Sequence, residues 1–329
     1  MSGESEQRGE SGTPTLTVVV AADLPSPLLE QIRQAAGQTG RVVSAAGEPP
    51  PSLAEAEVLV AGKLTPALLH AAPRLRWVHS LGAGVEGLLF PELVSRDVVL
   101  TNARGAHRVA MPEYVAMAML AWTHRLPALV RAQQRREWLR FVPQEVWGKT
   151  LGLLGYGEIG RAVARRVAGL GVRCVAYRRH PAREFERELV ERVYGPGELH
   201  DFLGACDFVV NSLPLTPETR GLLGAPELAA MRRDAVLIHL GRGPTVQADA
   251  LLAALRQGHP AGAFLDVFDE EPLPPHSPLW ALENVVVTSH TSGNSVHYTE
   301  RSVAIFCENL RRFRAGEPLR NVVDKRLGY

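Results

Sequence analysis

Cysteine is scarce: the 329 residues hold three, Cys174, Cys206 and Cys307, all far apart. There is no C-x-x-C pair and no even set of cysteines, which excludes a zinc ribbon and a disulfide framework. No metal site is expected, and three small buried thiols in a reducing, cytoplasmic setting is the reading that fits. Charge of one sign is lacking too, since 36 Lys+Arg stand against 35 Asp+Glu for a net charge of +1. That balance argues against a broad basic surface, so no nucleic-acid partner is expected. The longest apolar run, Val115 to Trp122, is far too short to span a bilayer, and no membrane partner is expected. The opening MSGESEQRGESGTPT has no apolar segment and no cleavage pattern. It does not read as a secretory signal, and residues 1–13 read as a disordered tail.

What is present is ample apolar content, 46% of the chain, enough for two domains with separate cores. Short apolar runs alternate with helical periodicity, the pattern of βαβ units and parallel sheets. The first third predicts strands at Leu16–Ala21, Val42–Val43, Val58–Val60, Trp77–Ser80 and Val98–Asn102. Helices are predicted at Pro27–Ala36 and Pro66–Ala71, with a Pro-rich loop at Glu48–Ser52. A longer helix is predicted from Pro112 to His124. The basic stretch RAQQRREWLR that follows reads as a solvated helix face or a subunit contact. A second block predicts six strands: Leu151–Gly155, Val172–Tyr177, Phe208–Asn211, Val236–His239, Ala263–Asp266 and Val285–Thr288. Six such strands make a full dinucleotide-binding sheet. A last amphipathic helix is predicted from Ser295 to Arg314.

The segment TLGLLGYGEIGRAVARRVAGLG carries G-x-G-x-x-G at Gly155, Gly157 and Gly160. The pattern alone is weak, but here it follows an apolar strand and opens a helix with Ile159, Val163, Val167 and Leu170 on one face. Gly155 permits the tight turn, Gly157 lets a pyrophosphate approach the backbone, and Gly160 lets helix and strand pack closely. Tyr156, Glu158 and Ile159 complete the candidate cofactor loop, whose helix N-terminus offers free N–H groups to phosphate. After the next strand an NAD-selective site places an acidic side chain, yet Arg178 and Arg179 stand there. Guanidinium groups suit a 2′-phosphate, so the expectation is NADP preferred, with NAD possible. The competing reading is that both arginines point into solvent.

Seven ordered motifs carry a wider likeness: GAGVEGL at 82–88, TNARGAHRVAMPEYV at 101–115, LGYGEIGRAVARRVAGLG at 154–171, LPLTPETRGLL at 213–223, LIHLGRGPTVQADAL at 237–251, DVFDEEPLPPHSPLW at 266–280 and NVVVTSHTSG at 284–293. With these the chain resembles the D-isomer-specific 2-hydroxyacid dehydrogenase family, which includes glyoxylate/hydroxypyruvate reductases. The resemblance implies an α/β fold of two doubly wound parallel-sheet domains. A Rossmann dinucleotide-binding domain, 104–293, is inserted in a flavodoxin-like substrate-binding domain, 14–103 with 294–329. It implies Arg242, Glu271 and His290 as the catalytic trio. It also implies substrate carboxylate donors near Ala83 and Gly84 beside Arg242, and further cofactor contacts at Leu213, Pro214, Leu240, Gly241, Arg242, Asp266, His290 and Gly293. The family's habit implies a homodimer, and the partner is a small 2-oxo or 2-hydroxy acid.

The residue types agree with that chemistry. Arg242 presents a permanently charged planar fork that suits anchoring a carboxylate and polarising a carbonyl. His290 suits proton delivery to a forming alkoxide, and Glu271 suits fixing the ring's orientation. Singly, each has a plain alternative: a surface cation, a solvated acidic loop (Asp269, Glu270, Glu271), a satisfied core histidine. Jointly, three separate motifs place them. His107, in the stretch that links the domains, is held in reserve. His239, Gln247, Ser289 and Glu86 depart from the common family pattern without removing a catalytic atom. A dinucleotide-sensing corepressor on the same scaffold stays open, as does phosphite oxidation. A formate dehydrogenase fits less well because that group places a glutamine where Glu271 stands.

Overall fold

The computed structural model describes residues 16–45 and 50–328. The tail at 1–13 and part of the Glu48–Ser52 loop lie outside the described residues. These residues divide into two compact units, one running to Ala106 and resuming at His297, the other His107–Val296.

The first unit is a parallel sheet of β1 (Leu16–Ala21), β2 (Gly40–Ser44), β3 (Val58–Ala61), β4 (Trp77–Ser80) and β5 (Val99–Asn102), in the order β2-β1-β3-β4-β5. That is the flavodoxin-like order. Helices α1 (Ser26–Ala36), α2 (Pro66–His70) and α3 (Pro91–Ser95) connect the strands, and α10 (Tyr298–Ala315) returns to pack against α1. Side chains alternate across the sheet with the period of 2 that a strand imposes. Val18 and Val20 join a core with Ile32, Trp77, Phe306 and Leu310, while Val19 joins another with Leu59, Leu69, Val78 and Leu100. Trp77 stacks on Phe306 of α10 with ring centroids 5.2 Å apart, which ties the end of the chain to its beginning.

The second unit begins with α4 (Ala110–Thr123) and α5 (Leu126–Gln134). Its sheet contains β6 (Thr150–Leu154), β7 (Arg173–Tyr177), β8 (Arg192–Tyr194), β9 (Phe208–Asn211), β10 (Val236–His239), β11 (Gly262–Leu265) and β12 (Val285–Val287). Helices α6 (Glu158–Val167), α7 (Leu199–Gly204), α8 (Ala225–Ala230) and α9 (Ala248–Arg256) connect them. All pairings are parallel, in the order β12-β11-β10-β9-β6-β7-β8. Successive connections step away from β6 first to one side and then, from β9, to the other. The strand order therefore reverses between β6 and β9, the place where such sheets bind ligands.

Several expectations need correction. The sheet has seven strands, not six. The missed β8 is three residues long with a single aliphatic side chain, Val193, so it carries no apolar run. The helix expected from Pro112 starts at Ala110 and stops at Thr123, because the chain turns left-handed at Arg125 (φ 51°) before α5 begins. Only the first four residues of RAQQRREWLR are helical, and the rest is irregular. The last helix starts at Tyr298, not Ser295.

Two histidines are buried in these sheets. His79 in β4 shares the Thr101 hydroxyl with the Trp77 indole N–H, both at 2.8 Å, and its Nε2 is buried without a hydrogen-bond partner. Burial lowers its pKa from 6.5 to about 3. His239 at the end of β10 is lowered to about 4, again chiefly by burial. Both rings are neutral in the folded chain, whereas an unfolded chain protonates them near pH 6.5. Their contribution is thus fully present above about pH 6.5 and is lost as pH falls towards the folded values. Urea unfolding in steps from pH 7 to pH 4 should show stability falling by up to about 1.4 kcal/mol per pH unit for each ring. His79→Leu should flatten that slope, and an unchanged slope would show that His79 protonates without penalty.

Candidate active site

The cofactor-loop residues converge at the ends of the central strands. After β6 the chain turns at Gly155 (φ 99°), whose N–H donates to the Tyr177 carbonyl at 3.0 Å. Helix α6 then opens at Glu158 with Gly157 as a cap residue that has no side-chain cap bond, leaving its first N–H groups unclaimed by a side chain. A Cβ at Gly160 would run into the Gly155 carbonyl oxygen, and one at Gly241 into the carbonyl of Leu213. Gly155 likewise faces Leu213. The loops after β6, β9 and β10 therefore meet with no room for side chains. Gly157 differs: a Cβ there would meet nothing within 4 Å. The open space over Gly157 and the uncapped helix start fit a dinucleotide's phosphates.

Not every residue of that loop faces outward. The Tyr156 ring is buried in the core, its hydroxyl donates to Glu186 at 2.8 Å, and Arg161 and Arg178 lie 5.7 and 5.9 Å from its centroid. Leu240 is also a core side chain, so both offer a ligand their backbone only. Glu158 is exposed, Ile159 is half-buried, and the Pro214 carbonyl accepts from the Thr219 hydroxyl at 2.6 Å. Arg178 directs its guanidinium to the carbonyls of Pro181, Arg183 and Glu184, and Arg179 pairs with Glu218 at 3.5 Å.

The second group of residues is built around His290. Its Nδ1 donates to Glu271 Oε2 at 2.7 Å, and Glu271 Oε1 accepts the Phe268 N–H at 2.9 Å. A carboxylate can only accept, so Nδ1 carries the proton and Nε2 is the nitrogen left for chemistry. The two side chains are 49% and 35% exposed, open enough to meet a ligand. His290 adopts φ 53°, a left-handed conformation that costs a non-glycine residue roughly 1–2 kcal/mol and persists only where surrounding contacts enforce it. Arg242 donates to the Gly241 carbonyl at 2.9 Å. Its neighbour Gly243 lies so close to the Phe268 backbone that a Cβ would overlap it, which joins the Arg242 turn to the loop bearing Glu271.

Sequence reasoning missed how the His290 segment is held. Asp266 is fully buried, and its carboxylate accepts from the Thr288 hydroxyl (2.5 Å) and the N–H groups of Thr291 (2.9 Å) and Ser292 (3.0 Å). The resemblance implies a cofactor contact for Asp266, while the bonds it makes here are all internal. Gly293 is covered by the His107 ring, whose Nδ1 donates to the Gly293 carbonyl at 2.8 Å. The pKa of His107 is lowered, first by burial, with Arg242 and His290 adding to the effect. Arg242 and His290 thus both act on one ring. In the first unit, Ala83 and Gly84 lie in the turn after β4. Asn102 Nδ2 donates to the Ala83 carbonyl at 2.6 Å, and the hydroxyls of Tyr298 and Ser302 on α10 donate to Leu81 O at 2.8 and 2.9 Å.

A dinucleotide cradle at a strand-order reversal and a histidine–carboxylate couple on neighbouring strand ends define a nicotinamide-dependent dehydrogenase. The comparisons narrow that class. The family described as "D-isomer specific 2-hydroxyacid dehydrogenase, NAD binding domain" matches residues 116–292. A glyoxylate reductase of Korarchaeum cryptofilum is 36% identical over 78% of this chain and 79% of its own length. A D-isomer specific 2-hydroxyacid dehydrogenase of Xanthobacter autotrophicus Py2, solved with NADPH and MES, is 35% identical with TM-score 0.82, covering 96% of this chain and all of that one. An NADPH-dependent glyoxylate/hydroxypyruvate reductase of Sinorhizobium meliloti, solved with NADP and sulfate, is 31% identical with TM-score 0.81, covering 95% and 100%. The protein belongs to the D-isomer-specific 2-hydroxyacid dehydrogenases, and it is an NAD(P)-dependent oxidoreductase of 2-hydroxy acids.

Gly157→Ala separates the ligand's needs from the protein's. The new methyl touches no protein atom, so the melting temperature should stay within about 2 °C, while NADPH affinity measured by fluorescence falls about tenfold or more. Unchanged affinity would show that the dinucleotide does not pass over Gly157.

Proposed function

We propose that the protein uses NADPH to reduce a small 2-oxo acid, of the glyoxylate or hydroxypyruvate kind, to the D-2-hydroxy acid. The observation that carries this reading is the 2.7 Å bond from His290 Nδ1 to Glu271, which leaves Nε2 as the exchangeable site on a half-exposed ring. The cofactor supplies the hydride. Arg242 anchors the substrate carboxylate and polarises the carbonyl with a charge it never loses. Backbone N–H groups at Ala83 and Gly84 add donors to the carboxylate. His290 Nε2 delivers a proton to the oxygen as it becomes an alkoxide, and Glu271 holds the ring in register throughout. Gly155–Gly160 hold the pyrophosphate, with Leu213, Pro214, Leu240, Gly241 and Gly293 lining the rest of the dinucleotide site.

NADPH preference is supported by Arg178 directly after β7 and by the NADPH and NADP complexes of two relatives. The Arg178 guanidinium bonds backbone carbonyls that a phosphate would have to displace, and the Arg179–Glu218 pair, 43% and 64% exposed, is weak enough for a phosphate to displace. A homodimer is supported by apolar side chains left in water along one stretch of the second unit: Leu126, Val130, Trp138, Leu139, Val142 and Trp147. Three buried free thiols suit a reducing cytoplasm.

Consumption of NADPH on adding glyoxylate or hydroxypyruvate is the direct test. His290→Ala should lower kcat about 100- to 10,000-fold with NADPH affinity little changed, and near-normal turnover would remove His290 from the mechanism. Steady-state kinetics with both cofactors should give the higher kcat/KM for NADPH, with Arg178→Ala narrowing the gap. A higher value for NADH would overturn the preference.

A further inference from the structure

We infer that Tyr114 and Thr288 are positioning residues for His290, acting through Asp266. The inference rests on the reading of His290 as the proton donor. His290 occupies a left-handed backbone conformation in the segment 288–293, so its place depends on what grips that segment. Asp266 grips it from below at four points: its carbonyl takes the His290 N–H at 2.9 Å, and its carboxylate takes the Thr288 hydroxyl and the N–H groups of Thr291 and Ser292.

Thr288 has one hydroxyl proton, and the 2.5 Å bond to Asp266 Oδ1 uses it. Its 2.9 Å contact with the Tyr114 hydroxyl must then have Tyr114 as donor. The donors run in one direction, Tyr114 to Thr288 to Asp266, and the chain ends on the carboxylate that shapes the His290 turn. Burial raises the Tyr114 pKa to about 12, so the phenol keeps its proton at any working pH. Tyr114 sits on α4, a helix fastened to the sheet through Val115, Ala118 and Met119. Seven residues earlier, in the turn before α4, His107 donates to the Gly293 carbonyl at 2.8 Å. The turn before α4 and the first turns of α4 therefore hold the segment on both sides of His290, at Gly293 and at Thr288. These hydroxyls bond to each other and to Asp266, and a small displacement of a proton donor costs rate steeply.

The competing account is that Tyr114 and Thr288 merely satisfy each other in the core. Thr288→Val removes the donor to Asp266, Thr288→Ser keeps it, and Tyr114→Phe removes one oxygen from the far end. Thr288→Val should lower kcat about 10- to 100-fold with NADPH Kd and substrate KM within about twofold. Thr288→Ser should recover at least a third of wild-type kcat, and Tyr114→Phe should lie between, about threefold to tenfold down. In a His290→Ala background Thr288→Val should cost nothing more, because the group it positions is gone. Tyr114→Phe should fold with little change in melting temperature, which keeps the idea testable if the valine variant does not fold. Unchanged kcat in Tyr114→Phe and Thr288→Val, or an equal loss with and without His290, would overturn the inference. A His290→Ala enzyme of normal turnover would instead sink the catalytic assignment itself.

Discussion

Asp266 has no contact with solvent, and the donors to its carboxylate all come from the segment that carries His290. A buried carboxylate is tolerated only where hydrogen bonds replace its lost water, and charge-assisted bonds to N–H and O–H are among the stronger ones. Here that requirement becomes a template. The chain after β12 must bend so that a hydroxyl at 288 and two consecutive N–H groups at 291 and 292 face one point. The residue between them, His290, is forced into a left-handed turn that directs its Nδ1 to Glu271. The geometry of His290 is thus set by a buried carboxylate in the strand end beneath it.

The same end of the sheet is built by crowding. Backbones from three loops meet at Gly155, Leu213 and Gly241, and Gly243 lies on the backbone of Phe268. Close packing of main chain on main chain removes the freedom of loops that would otherwise be mobile. Flexible surface connections become a rigid cradle, and Gly157 is the position in the cradle loop where a Cβ would meet open space. Polar satisfaction around Asp266 and steric closure around the glycines therefore act together. One orients the His290–Glu271 couple, and the other leaves open space over Gly157.

Much of this was legible in the chain. Apolar runs such as Leu16–Ala21 and Phe208–Asn211 match the observed strands residue for residue, because buried parallel strands are continuous hydrophobic segments. β8 was not legible, since a three-residue edge strand is defined by its neighbour β7 and not by its own side chains. The end of α4 was legible to within one residue and Pro127 marks the start of α5, but the left-handed turn at Arg125 between them was not. The Glu271–His290 couple could be named from its motifs. The Tyr114–Thr288–Asp266 chain could not, because it joins residues 174 and 22 positions apart whose types are ordinary in a core.

Two of the four departures from the common family pattern, Gln247 and His239, have clear places in the structure. Gln247 donates to the Gly221 carbonyl at 3.0 Å and packs over Gly224, so it secures the approach to α8 and not the ligand side. His239 is buried behind the Arg242 turn beside Asn211 and Gly243, neutral because burial opposes its charge. Both changes alter what stands behind the site and leave its outward atoms alone. A buried imidazole at the end of β10 also imports a cost at low pH, close to the strand that presents Arg242. Stability under acid thus depends on a residue behind the Arg242 turn, while the turn at His290 is held by the bonds to the Asp266 carboxylate. The two regions meet at one bond, since the Asp266 N–H donates to the His239 carbonyl at 3.0 Å, so the buried imidazole stands beside the carboxylate that holds the His290 segment.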